Sequence, residues 1–225
     1  MYIGQIMHTN LVTVAPETSL VAARELIDKH RIEHLLVVDK KGSLIGIVSD
    51  RDLKQNWASP ATTLSVHELH YLLQKVEVQT FMVKTLKTVA PGTTIERAAY
   101  IMQTESINAL PVMAEGQLVG IVTNTDVMGV LLQAIGMKED SVRLGVLVDD
   151  QIGRLAEVTS IFKDAQVNIQ SFFCWPVRDY PQISHLVIRV DRVEGDKAIT
   201  ALEDKGFKVL TQYEKDFGPF LPVAS

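Results

Sequence analysis

The chain repeats itself, and a repeat restricts the fold more tightly than any composition figure. Met7 and Met82 stand 75 positions apart, as do Val14-Ala15-Pro16 and Val89-Ala90-Pro91. Leu20, Ala23 and Ile27 return as Ile95, Ala98 and Met102, Ile32 as Ile107, and Val37 as Val112. Beyond Gly42 the offset falls to 74: "GIVSDRDL" at 46–53 becomes "GIVTNTDV" at 120–127, so that Ser49 maps to Thr123 and Asp52 to Asp126. The lost residue lies in a turn, where a change of length is tolerated best.

Each copy reads β-α-β-β-α. A short strand (Val12–Val14 in the first copy) passes Pro16 and leads to a helix with Leu20, Ala23 and Ile27 on one face. Thr93 and Glu96 read as a capping box at the start of the corresponding helix in the second copy. "HLLVVDKKGSLIGIVS" and "ALPVMAEGQLVGIVT" then each give two apolar strands around a glycine turn, and a final helix starts at Ser49 or Thr123. A unit of roughly 60 residues buries its sheet poorly alone, so the two copies are expected to pack together. Between them Pro60 marks a loop, followed by a helix with Leu69, Leu72, Leu73 and Val76 as its buried stripe.

After residue 140 the pattern changes. Val142, Leu144, Val146 and Val148 alternate as a strand, and Leu155, Val158, Phe162 and Ala165 mark a helical face. Val167–Phe173 and Ile183–Val190 read as strands, Ala198–Lys205 as a helix stopped by Gly206, and Phe207–Thr211 as a last strand. The order β-α-β-β-α-β is ferredoxin-like, and its open sheet offers an edge to a second copy. The fold class is α/β (α+β). Residues 1–58 form repeat 1, 59–77 a linker, 78–136 repeat 2, 141–215 the ferredoxin-like domain and 216–225 a tail.

Composition removes several functions. A net charge of −5 lacks the basic field that nucleic acid requires, and aromatic residues at 6% are too few for a stacking platform. The single cysteine, Cys174, excludes an intramolecular disulfide and a cysteine-based zinc site. His67 and His70 are spaced i, i+3 with no third ligand nearby, so no metal site is expected. No apolar run reaches the ~18 residues of a membrane span. The first eight residues carry neither a basic start nor a long apolar stretch, so a cytoplasmic protein is expected. Cys174 with His185 is the one thiol–imidazole combination available. "FFCWP" reads as an apolar strand end that buries the thiol, and no catalytic residue is assigned. The expectation is a non-enzyme.

The repeated G-hydrophobic-Val-Ser/Thr-x-x-Asp motif, with Val-Ala-Pro upstream, resembles a tandem pair of CBS domains. The segment carrying "DDQIGRLA" and "VNI" looks like an ACT domain, and the combined order is similar to acetoin-utilization-type CBS–ACT regulatory proteins. The resemblance implies an adenosyl ligand, AMP, ADP, ATP or S-adenosylmethionine, between the repeats. In a first cleft it implies Thr13, Ile32, Glu33, His34, Ser49, Arg51, Asp52 and Asn108. In a second it implies Thr88, Ile107, Asn108, Ala109, Thr123 and Asp126. The two aspartates would accept from ribose hydroxyls, which suits an acceptor-only carboxylate facing a diol. Arg51 beside Asp52 suits a phosphate and has Thr125 as its counterpart, while Glu33 would repel a phosphate in the second cleft. The first cleft is therefore favoured for a phosphorylated ligand. The ACT resemblance implies an amino-acid site at Asp150, Gly153, Leu155, Asn168 and Ile169, and a homodimer. The leading reading is a regulatory sensor acting on an unidentified protein. The competing readings are an amino-acid sensor led by the ACT domain and a structural interaction protein with empty clefts.

Overall fold

The structure is a computed structural model, and it describes residues 1–57, 65–137 and 140–222. Pro60 lies outside the described residues. The chain divides into two compact units, 1–128 and 129–225.

In the first unit, β1 (Thr13–Val14) pairs in parallel with β2 (His34–Val38), which pairs antiparallel with β3 (Leu44–Ser49). Helix α1 (Leu20–His30) begins where the Ser19 hydroxyl accepts from the Ala22 N–H, and ends at Arg31 in the left-handed region. Leu20, Ala23 and Ile27 are buried on its inner face against Leu35, Val37 and Val48. Helix α2 (Asp50–Asn56) follows β3 directly. Helix α3 (Val66–Leu73) precedes the second repeat, with Leu73 buried but Leu72 turned outward, so the expected stripe is narrower than its sequence.

The second repeat contains α4 (Ile95–Glu105), the antiparallel pair β4 (Ala109–Ala114) and β5 (Gln117–Thr123), and α5 (Asn124–Ala134). Ile95, Ala98 and Met102 are buried, matching their counterparts in α1. The cap of α4 is Thr94, not Thr93 as expected. Thr93 is committed to the preceding turn, where its hydroxyl accepts from Ala90 N–H, leaving Thr94 to accept from Arg97 N–H. The lead-in strand of this repeat is reduced to one parallel bridge, Val89 to Val112.

The repeats exchange their lead-in segments. Residues 76–83 dock on repeat 1: Leu20 N–H donates to Val76 O, Val78 N–H to Thr18 O, and Ile47 and Val83 exchange two hydrogen bonds at 3.1 and 3.0 Å. Residues 3–8 dock on repeat 2, with Ile3 and Gly4 donating to Thr93 and Pro91 and His8 exchanging two bonds with Ile121. Met82 covers Gly46, and Met7 covers Gly120, in the same way. A Cβ at either glycine would meet the methionine sulfur at 2.5 and 2.6 Å respectively. Glycine at both positions is what lets the other repeat's segment lie against the strand.

In the second unit, β6 (Ser141–Asp149), β7 (Ile169–Val177), β8 (Tyr180–Asp191) and β9 (Val209–Leu210) form one sheet in the order β7-β8-β6-β9. Helices α6 (Arg154–Asp164) and α7 (Gly195–Glu203) supply Val158, Phe162, Ala198 and Leu202 to a core with Leu144, Val146, Leu186 and Ile188. The expected elements are present with shifted bounds: β7 runs four residues beyond Phe173, and β9 is only two residues long. The other sheet face is covered in part by Phe217, Phe220 and Leu221 of the tail.

Candidate functional site

In repeat 1 the strand-to-helix junction builds the centre of a cleft. Extended Ser49 caps α2 by accepting from Asp52 N–H at 3.2 Å. Asp52 returns the contact: its Oδ2 accepts from Ser49 N–H at 2.8 Å and from the Ser49 hydroxyl at 2.6 Å. This reciprocal cap fixes the carboxylate. Both cap bonds to the carboxylate fall on Oδ2, and Oδ1 accepts none among the described residues.

That junction lines a cavity of about 430 Å³. Repeat 1 contributes Glu33, His34, Ile47, Ser49, Asp50, Arg51 and Asp52. Repeat 2 contributes Ser106, Ile107, Asn108, Ala109 and Pro111, and its lead-in segment adds Val83, Thr85, Leu86 and Lys87. Six of the eight residues expected in the first cleft are thus together: Glu33, His34, Ser49, Arg51, Asp52 and Asn108. Thr13 and Ile32 are elsewhere. Thr13 is in register with Leu36 on β2, and Ile32 packs on the core of repeat 1. The wall expected from Thr13 comes instead from the opposite repeat, because Val83 bridges to Ile47. Ile107 and Ala109, expected only in the second cleft, line this first one beside Asn108, which is expected in both, since the α4–β4 corner faces β3. A linear pattern does not say which repeat a lead-in segment pairs with, so Val83, Thr85, Leu86 and Lys87 were missed.

The charges at the cavity are unequal in their freedom. Asp50 is neutralised by Arg24 at 2.9 Å and Lys54 at 2.5 Å, and Lys87 by Glu105 at 2.9 Å. Arg51 is exposed and makes no ion pair among the described residues. Burial pushes the His34 imidazole below its ordinary range, although Glu33 and Asp52 oppose this, and its Nδ1 is buried without a partner. Burial thus favours the uncharged form of His34. Ile47, Val83, Leu86, Ile107, Ala109 and Pro111 give the cavity an apolar wall.

The second junction repeats the first with one difference. Asp126 Oδ2 accepts from Thr123 N–H at 2.8 Å and from its hydroxyl at 2.7 Å, but Oδ1 is taken by His8 Nε2 at 2.9 Å. Burial would raise the Asp126 carboxyl, but the Thr123 hydroxyl, the Thr123 N–H and His8 together outweigh it and hold the group below its ordinary range. Thr88, also expected at this cleft, is exposed beside the Val89 bridge.

None of the five ACT positions lines the cavity around Asp52 or the smaller cavity of the second unit. Gly153 sits at the start of α6 with φ 97, Asp150 N–H donates to Gln182 O, and Asn168 N–H to Glu194 Oε2. Leu155 is exposed, and Ile169 packs against the core. That smaller cavity, of about 200 Å³, is lined by Asp149, Arg154, Glu157 and Lys208 among others. There Arg154 is already held by Asp149 and Glu157 at 3.0 and 2.9 Å. Cys174 and His185 lie on opposite sheet faces, since Cys174 is in register with Leu186 and Trp175 with His185. Cys174 is exposed, contrary to the expected burial, because β7 is an edge strand and leaves the thiol at the rim. Among the described residues no group of three or more histidines, cysteines and acids is placed to hold a metal, and His70 instead contacts Gln74. Among them, too, no helix is long and apolar enough to cross a membrane.

The CBS-domain model matches residues 3–58 and 77–133, together just over half of the chain. The chain belongs to the CBS-domain family. Its residues 144–204 match the AHAS small subunit-like ACT domain. A CBS pair followed by an ACT-like module marks a regulatory, ligand-binding protein. A CBS domain-containing protein of Dictyostelium discoideum is 29% identical over 59% of this chain and 92% of its own. Inosine-5'-monophosphate dehydrogenase of Staphylococcus aureus is 30% identical over 72% of this chain, which spans only 29% of that enzyme. The AcuB protein of Vibrio cholerae has a solved structure that is 28% identical, with a TM-score of 0.48 over 59% of this chain and 91% of its own.

Proposed function

We propose that this CBS pair is a sensor module that binds one adenine nucleotide in the cleft around Asp52. The observation that carries this reading is the half-used carboxylate. Ser49 occupies Oδ2, and Oδ1 is left as an anchored acceptor beside the cavity. A ribose diol supplies the donors that such an acceptor needs. Arg51, one residue away and unpaired among the described residues, suits the phosphate that follows the ribose. The apolar wall suits a flat base, and about 430 Å³ lies within the ~300–1,000 Å³ of ordinary ligand pockets. The candidates are AMP, ADP, ATP and S-adenosylmethionine. The last carries no phosphate and would leave Arg51 unused.

The ACT module is assigned a pairing role. Its β7 edge, nine residues long, is the edge to which a second copy would add. Ligand occupancy of the CBS cleft would then bias the state that a partner protein meets, in proportion to the difference in affinity between the two states. Equilibrium dialysis against AMP, ADP, ATP and S-adenosylmethionine tests the binding step. One of them should bind at one equivalent per chain, and Asp52→Asn should weaken it at least tenfold. Binding that survives this substitution unchanged removes the site from consideration.

A further inference from the structure

The two clefts obey one pseudo-symmetry, so their differences can be read position by position. Val83 and His8 are equivalents: each exchanges two backbone hydrogen bonds with its strand partner, Ile47 or Ile121, and each follows a methionine laid over a glycine. Val83 lines the first cavity and offers no polar atom to Asp52. His8 puts an imidazole at the same place, and its Nε2 lies 2.9 Å from Asp126 Oδ1. The carboxylate oxygen that stands open in the first cleft is therefore satisfied from within in the second.

We propose that His8 is an internal occupant of the second cleft, holding the acceptor through which that cleft would take a ribose hydroxyl. A ligand there binds only by displacing the imidazole. The proposal rests on the reading of Asp52 as a hydroxyl acceptor, because it transfers that role to Asp126. The pseudo-symmetry also fixes the class of ligand. Arg51 corresponds to Thr125 and Lys87 to Val12, so both cations beside the first cleft have uncharged counterparts. With His8 moved aside the second cleft keeps the carboxylate, has no cation beside it at position 125, and carries Glu33 where the first has Asn108, with Arg31 at the place of Ser106. It suits an uncharged nucleoside in preference to a nucleotide.

The His8 side chain is 63% exposed and Asp126 20%, so the contact is worth only what a partly exposed pair is worth. The second cleft is thus weakened, not sealed, by roughly fivefold. His8→Val copies the first cleft and keeps both backbone bonds, and His8→Ala serves as a second variant.

The test is equilibrium dialysis of the full chain with radiolabelled adenosine, beside a parallel series with AMP. His8→Val should take an additional equivalent of adenosine, or bind it about fivefold more tightly than wild type. Asp126→Asn on the His8→Val background should remove that gain, and Asp52→Asn on the same background should leave it. AMP should gain much less than adenosine. Identical adenosine binding by wild type, His8→Val and His8→Ala overturns the proposal, as does a failure of either variant to bind adenosine at all. The reading of the first cleft is judged separately by AMP binding to wild type and Asp52→Asn. If wild type takes no AMP while His8→Val takes adenosine through Asp126, the internal occupant stands and the first-cleft reading falls.

Discussion

Ser49 and Asp52 are joined by three hydrogen bonds, and the two received by the carboxylate fall on the same oxygen. Helix capping alone accounts for those three contacts, and the ligand reading concerns the oxygen they leave over. The two roles come apart in different substitutions. Ser49→Ala should cost about 1 kcal/mol of stability through the lost cap, with at most a severalfold loss of nucleotide affinity. Asp52→Asn should cost no more stability than that and lose at least tenfold in affinity. Thermal melts and titration calorimetry on the two variants check both halves.

Asp126 should titrate differently with and without His8. Its folded carboxyl lies below the ordinary 3.8, so the stability it contributes is present above that pH and is lost as pH falls through the folded value. His8→Val removes one of the groups that lower it, so the Asp126 titration should move upward. Carbon-13 NMR of the aspartate carboxyls reads this directly. An unmoved Asp126 would mean that the contact seen at 2.9 Å is absent in solution.

One buried histidine, His185, and one half-buried histidine, His34, should make the protein acid-sensitive. Burial pushes His34 down, and burial together with Arg143 pushes His185 down. A depressed folded value means stability that is fully present above the ordinary 6.5 and declines as pH falls below it. His185 is 5% exposed and its Nε2 has no partner, so His185→Leu leaves no other group unpaired. Urea midpoints of the variant should fall less between pH 7 and pH 5 than those of wild type.

Gly46 and Met82 form a packing pair across the two repeats. A Cβ at 46 would meet Met82 Sδ at 2.5 Å and Cγ at 3.0 Å. Gly46→Ala should destabilise by about 1–3 kcal/mol, the usual cost of overpacking. Met82→Ala should relieve most of that added cost. A double-mutant cycle on denaturant midpoints should give a coupling of at least ~0.5 kcal/mol.

Arg143 and Arg189 face each other across β6 and β8, a placement in which like charges repel. Burial, and then Arg189, pushes the Arg143 guanidinium below its ordinary value. Arg189 has Ser141 as a partner at 2.8 Å. Arg143→Thr should therefore stabilise the ACT-like unit by roughly 0.5 kcal/mol, measured as a higher thermal midpoint.

The repeat was legible because burial enforces it. Leu20, Ala23 and Ile27 had to return as apolar residues for α4 to pack as α1 does. The Ser49-to-Asp52 and Thr123-to-Asp126 contacts were legible for a local reason, since a cap spans three residues. What stayed hidden was long-range. Nothing near Val83 or His8 says that each pairs with the strand of the other repeat, because a single antiparallel bridge carries no period. The lead-in wall of the cavity and the occupant of Asp126 both follow from that one exchange. Cys174 escaped for a similar reason: an apolar sequence context does not reveal that its strand lies at a sheet edge.

The role proposed for Asp52 is to anchor a nucleotide through the oxygen its cap leaves over. The most direct measurement is titration calorimetry of AMP into wild type and Asp52→Asn, with thermal melts to show that both are folded. One equivalent per chain in wild type, weakened at least tenfold in the variant, is the predicted result. Equal affinity in two folded proteins, or no heat from either with AMP, ADP, ATP or S-adenosylmethionine, would contradict it.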